Sequence, residues 1–143
     1  MNNIDEHLLE IHNCEGTGYQ PLIDYDKWRV AILRYCDELL PKHIFALQRH
    51  NETDEVFILL EGRCILFLGE GKDIITSITG IDLELRKIYN VKRGVWHSHT
   101  LNNDASVLIV ENHDTTIQNS PKKLLNDDQR QRITDITHEL WQT

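Results

Sequence analysis

Apolar side chains recur along this chain in short runs parted by polar clusters rich in Gly, Asn and Asp. Near the start, Ile4, Leu8, Leu9 and Ile11 fall at roughly helical spacing and predict a short N-terminal amphipathic helix that Gly16-Thr17-Gly18 ends. After a turn at Gln20-Pro21, the aromatic and branched run from Trp28 to Tyr35 predicts a strand, broken by Asp37-Glu38. Ile44 to His50 predicts the next, with Ile44, Ala46, Gln48 and His50 on one face because strand side chains alternate. Asn51 to Asp54 reads as a turn. The continuous apolar runs Val56 to Leu60 and Ile65 to Leu68 flank Glu61-Gly62-Arg63 and predict a hairpin of strands buried on both faces, closed by Gly69-Glu70-Gly71.

Further on, Ile74 to Ile78 and Leu83 to Val91 predict strands parted at Gly80. Val95 to Leu101 predicts another, ended by the turn residues Asn102-Asn103-Asp104, and Val107 to Val110 a further apolar strand leading to Glu111. The β region is expected to end near His113. Asn126 with Gln129 three residues on is an N-cap with a capping box, and Asp127 and Asp128 suit the positive end of a helix dipole. In the helix this predicts, over about 127–142, Ile133, Ile136, Leu140 and Trp141 form one stripe to pack on a sheet or on another subunit. Many short strands with helices only at the ends predict an all-β antiparallel sandwich or jelly roll.

Composition narrows the function classes. The 143 residues are enough for one core and suggest a single domain over 1–143. A formal charge of −8 with no basic cluster argues against nucleic acid as a partner. No apolar run has membrane-spanning length and Met1-Asn2-Asn3-Ile4-Asp5-Glu6 is not a signal sequence, so no membrane partner and a cytoplasmic location are expected. Cys14, Cys36 and Cys64 are odd in number and widely spaced, which makes them free thiols. Gly71-Lys72 does not belong to a phosphate-binding loop, because Leu66 stands where its first Gly would be.

Candidate chemistry gathers in two stretches. Gln48, His50 and Glu55 lie around the turn at 51–54, and His97 and His99, two apart on one strand, project to the same side. Imidazoles and a carboxylate together suit a divalent transition metal such as Zn, Fe, Mn or Ni. Each residue also has a plainer reading: a strand His can be a hydrogen-bonded core residue, and Glu55 can be exposed or paired with Arg49. Glu111 shares a face with Val107 and Ile109, and is either a pocket acid or the first exposed residue past the strand.

These stretches resemble the two motifs of the cupin superfamily, the RmlC-like jelly rolls. In the first, G-x5-H-x-H-x3,4-E-x6-G, the second His, the Glu and the last Gly are matched by His50, Glu55 and Gly62, while Gln48 takes the first His position and Pro41 lies near the opening Gly. In the second, G-x5-P-x-G-x2-H-x3-N, Gly94-x2-His97 matches, with Lys92 for Pro and Leu101 for Asn, although Asn102 follows. The resemblance covers about 28–113. It implies an antiparallel double-stranded β-helix with a C-terminal helix and metal ligation by His50, Glu55 and His97, completed by Gln48 or His99. It also implies a small-molecule ligand or substrate, with Glu111 or His99 as acid–base groups for isomerase, lyase or dioxygenase chemistry. A non-catalytic small-molecule or sugar-binding module with a degenerate metal site is the alternative, since such barrels carry many functions. A homodimer is expected from the apolar faces of the terminal helix and edge strands.

Overall fold

The computed structural model describes residues 3–142. Its strands are β1 (Gly18–Tyr25), β2 (Trp28–Arg34), β3 (Ala46–Gln48), β4 (Glu55–Glu61), β5 (Cys64–Glu70), β6 (Ser77–Asp82), β7 (Ile88–Val91), β8 (Trp96–Leu101), β9 (Ser106–Asn112) and β10 (Lys122–Leu124), followed by one helix, α1 (Asp127–Trp141). They form two five-stranded sheets of order β1-β2-β9-β4-β7 and β10-β3-β8-β5-β6, with every pairing antiparallel. This is the double-stranded β-helix expected from the motifs. Among the described residues, no helix is long and apolar enough to cross a membrane.

Two cores follow from the alternation of strand side chains. Inside the barrel, Leu33, Phe57, Leu59, Cys64, Leu66, Leu101, Val107 and Ile109 pack together. Outside it, Ile65, Phe67, Ile78 and Trp96 meet Ile133 and Ile136 of α1. β5 therefore contributes to both cores, as its continuous apolar run predicts. Full burial of such a Leu or Phe side chain stabilises the fold by about 1.5–3 kcal/mol. The capping box is present: Asn126 accepts from the Gln129 amide, and the Gln129 side chain accepts from Asn126 N–H. Gly80 sits inside β6, where any side chain would collide with Ile136, so the helix lies against bare backbone.

The structure corrects several expectations. Residues 3–15 form no helix, only one turn in which Leu8 and Leu9 N–H donate to the Asp5 carbonyl. Ile4, Leu8, Leu9 and Ile11 are exposed, so the stripe finds no surface to bury and a helix this short has little stability alone. Gln20-Pro21 is not a turn but lies within β1, at an irregularity between Pro21 and Ile23; β1 is an edge strand, where a missing N–H is tolerated. The sheets therefore run from Gly18 to Leu124, beyond the expected 28–113. Gly80 parts no strands, and residues 83–87 form a turn with Arg86 at φ 65° before β7 begins.

The most consequential correction concerns Glu61-Gly62-Arg63. β4 and β5 do not pair with each other; β4 pairs with β7 and β9, and β5 with β6 and β8. Gly62 carries the chain from one sheet to the other at φ 75°, and a Cβ there would lie 2.5 Å from Ala105 Cα. Nor is β4 buried on both faces. Phe57 and Leu59 point inward, whereas Leu60 on the other side is 47% exposed, because α1 covers the opposite sheet.

Candidate metal centre

One end of the barrel interior is polar. Glu55 opens β4 and Glu111 lies near the end of β9, one step beyond the Val56–Val110 pair, so two carboxylates face each other on one sheet. His97, second in β8, and His50, two residues past β3, approach from the other sheet. All four residues are buried, at 5–7% exposure. The position of His50 is fixed by backbone: Arg49 N–H donates to Pro121 O, Asn51 N–H to Asn119 O, and the His50 carbonyl accepts from Gly94 N–H at 2.7 Å.

The Nε2 atoms of His50 and His97 lie 3.3 and 2.8 Å from Glu55 Oε1, and these three ligand atoms all lie within 4.8 Å of one another. Their outer hydrogen bonds assign the ring protons. His97 Nδ1 faces the Val95 carbonyl at 2.9 Å and must donate to it. His50 Nδ1 lies 2.7 Å from Ser120 Oγ, which donates to Asn119 Oδ1, an oxygen that also accepts from Thr116 N–H. With its own proton on Asn119, the Ser120 hydroxyl accepts from His50 Nδ1. With both Nδ1 atoms bonded outward, each ring turns its Nε2 toward Glu55. Without a cation, a ring can hydrogen-bond that carboxylate only as imidazolium.

Electrostatics follow the crowding. Burial alone raises the Glu55 carboxyl, but hydrogen bonds with His50 and His97 and the His97 charge outweigh it and hold Glu55 well below the usual carboxylate range. Glu111 moves the other way: burial, and then the neighbouring Glu55, push it up. Tyr19 donates to Glu111 Oε1 at 2.6 Å, while Glu111 Oε2 is buried without a hydrogen-bond partner and lies 3.6 Å from His50 Nε2. Burial, with Glu111 adding to it, raises the Tyr19 phenol, which remains a donor.

The remaining sequence candidates occupy the same cavity of about 550 Å³ in different positions. Gln48 pairs with His97 across β3 and β8, and its amide nitrogen donates to Ser120 O at 3.3 Å. His99 lies outside the triplet, its ring centroid 5.9 Å from that of Phe57. Its Nδ1 is buried without a partner, and burial pushes its pKa down to about 4, so the ring is neutral near pH 7. Leu33, Leu39, Phe45 and Ile109 supply apolar wall. Tyr19, Asn119 and Ser120 are absent from the sequence candidates. The β-formers Tyr19, Ile23 and Tyr25 could have revealed the first had Pro21 not interrupted them; no local signal marks the other two, which reach the site through the turn before β10.

The donor set fits a divalent transition metal. Two Nε2 atoms and a carboxylate oxygen converge, the outer ring nitrogens are already satisfied, and an adjacent carboxylate oxygen has no partner.

No protein-family model and no curated protein matches the chain by sequence. Among solved structures, it is similar to an uncharacterized conserved protein with a double-stranded β-helix domain from Klebsiella pneumoniae, at a TM-score of 0.56 and 14% identity over 87% of this chain and 98% of that one. It is also similar to a Bacillus halodurans protein, at 0.51 and 16% identity over 67% and 70% of the two chains. A Streptomyces PAC13 variant with uridine aligns at 0.50 and 10% identity over 78% and 88%. At such identities the likeness shows the fold, a double-stranded β-helix.

Proposed function

We propose that this barrel holds one divalent transition metal ion on His50, Glu55 and His97 and uses it to bind and transform a small polar metabolite. The observation that carries this reading is that Ser120 Oγ and the Val95 carbonyl engage the two Nδ1 atoms, which leaves both Nε2 atoms converging on one carboxylate oxygen. A metal bound there supplies a Lewis acid that polarises an oxygen-bearing ligand. The protein contributes orientation: Val95 and Ser120 hold the imidazoles, and Phe57, wholly buried, packs edge-on to His97 at 6.3 Å. His99 presents its unpartnered Nδ1 as a neutral hydrogen-bonding group for cavity contents, and Gln48 and Ser98 add polar wall. Isomerase, lyase and dioxygenase chemistry are the reaction types consistent with such a site. Three free cysteines are in keeping with a reducing, cytoplasmic setting.

Elemental analysis of protein purified without chelator tests the reading. About one Zn, Mn, Fe or Ni per chain is expected, with His50→Ala losing the ion. Wild-type protein that is metal-free and has no affinity for any of these ions would refute it.

A further inference from the structure

Two carboxylates and two imidazoles meet in the cavity from opposite sheets, yet the triplet uses only one of the carboxylates. We propose that Glu111 is a fourth protein ligand, binding through Oε2, so that the shell comprises two imidazoles and two carboxylates while Gln48 and His99 stay outside it. This inference rests on the metal reading above and concerns who completes the shell.

The orientation of the Glu111 carboxylate is the first observation. Tyr19 occupies Oε1 from the β1 side at 2.6 Å, and Oε2, buried and without a partner, lies 3.6 Å from His50 Nε2. A buried carboxylate oxygen with no donor costs stability unless a proton or cation meets it. Spacing is the second. Ligand atoms about 2.1 Å from one ion lie roughly 3.0 Å apart at right angles and roughly 3.4 Å apart in a tetrahedron. The observed spacings are 3.3 Å for His50–Glu55, 2.8 Å for His97–Glu55 and 3.6 Å for His50–Glu111. Glu111 lies outside the triplet as it stands, so to share one ion its carboxylate has to move in from the His50 side.

The competing residues are less suited. Gln48 commits its amide nitrogen to the Ser120 carbonyl, and a neutral amide oxygen is a weak ligand for a late transition metal. His99 lies two residues farther along β8 with its ring beside Phe57, whereas Glu111 Oε2 is 3.6 Å from His50 Nε2. Two carboxylates also match the charge of a dication. They make the shell harder than a three-imidazole site and shift its preference toward Mn and Fe.

Metal-free protein titrated with Mn2+ against a competing chelator, and with Co2+ followed by its visible absorption, tests the assignment. Glu111→Gln is expected to weaken Mn2+ binding by at least about tenfold and to change the Co2+ spectrum; Gln48→Ala is expected to change neither appreciably. Glu111→Asp keeps the charge but withdraws the oxygen, so it too should lose affinity. Wild-type affinity and spectrum in Glu111→Gln, or near-wild-type binding in Glu111→Asp, would overturn Glu111 as a ligand while leaving the triplet in place. Wild-type protein that binds neither Mn2+ nor Co2+ would overturn this inference, and the triplet with it if Zn2+, Fe2+ and Ni2+ are refused as well.

Discussion

The two ends of the barrel interior are built from the same strands and behave as opposites. β4 carries Glu55 at one end and Leu59 toward the other; β9 runs from Val107 to Glu111, and β8 from His97 to Leu101. At the closed end Leu59, Cys64, Leu66, Leu101, Ala105 and Val107 are at most 2% exposed. At the open end the buried groups are two imidazoles and two carboxylates. Cohesion at the closed end is proportional to buried area and has no direction. At the open end each buried polar atom needs a partner at the right angle, and an unmet one costs about 1–3 kcal/mol. The molecule thus separates stability from chemistry along each strand, with Phe57 at the boundary, packed on the rings of His97 and His99.

Substitutions at the two ends should separate these roles. The largest effect on folding is expected from Leu59→Ala, which removes a side chain only 1% exposed. It should cost about 2–5 kcal/mol in denaturant unfolding of the metal-free protein and leave metal affinity of the folded protein nearly unchanged. An equal loss of metal affinity would mean that the two ends are coupled. Ser120→Ala should do the reverse. It frees His50 Nδ1 from its acceptor, and metal affinity by chelator competition should fall about 10–100-fold with only a small change in unfolding midpoint. Unaltered affinity would show that Ser120 does not set the ring's orientation.

The smallest effect is a pH slope. Because the Glu111 carboxyl is raised in the folded state, the unfolded chain releases this proton first as pH rises, and stability in the metal-free protein falls above the ordinary carboxylate range. Glu55, held low, has the opposite sign: its contribution is present above that range and is lost as pH falls below it toward the depressed folded value. Glu111→Gln should therefore gain in melting temperature relative to wild type between about pH 5 and about pH 8. A difference that does not vary with pH would remove Glu111 from the buried charge balance.

Much of the open end was legible because its residues obey strand alternation. His97 and His99 share a side, and Glu111 follows Val107 and Ile109 on one face, with Glu111 proving to be buried rather than past the strand. The plainer reading of Glu55, exposed or paired with Arg49, does not hold. Glu55 is buried against His50 and His97, while the Arg49 guanidinium lies over the Trp96 ring, 4.4 Å from its centroid. Tyr19 was hidden because Pro21 reads as a turn until β1 is known to be an edge strand. Ser120 and Asn119 were hidden because a hydrogen-bond chain across seventy residues leaves no periodic trace.

The amino-acid sequence by itself determined the local elements. Alternation and apolar runs set most strands and their inward faces, and Asn126 with Gln129 set the start of α1. Tertiary structure alone decided which strands are neighbours. Glu61-Gly62-Arg63 looks like a hairpin turn, yet it crosses between sheets, because pairing is chosen by packing among residues far apart in the chain and not by the turn. That crossing places β4 and β5 on opposite walls of one cavity. Only then do the carboxylates of one sheet face the imidazoles of the other.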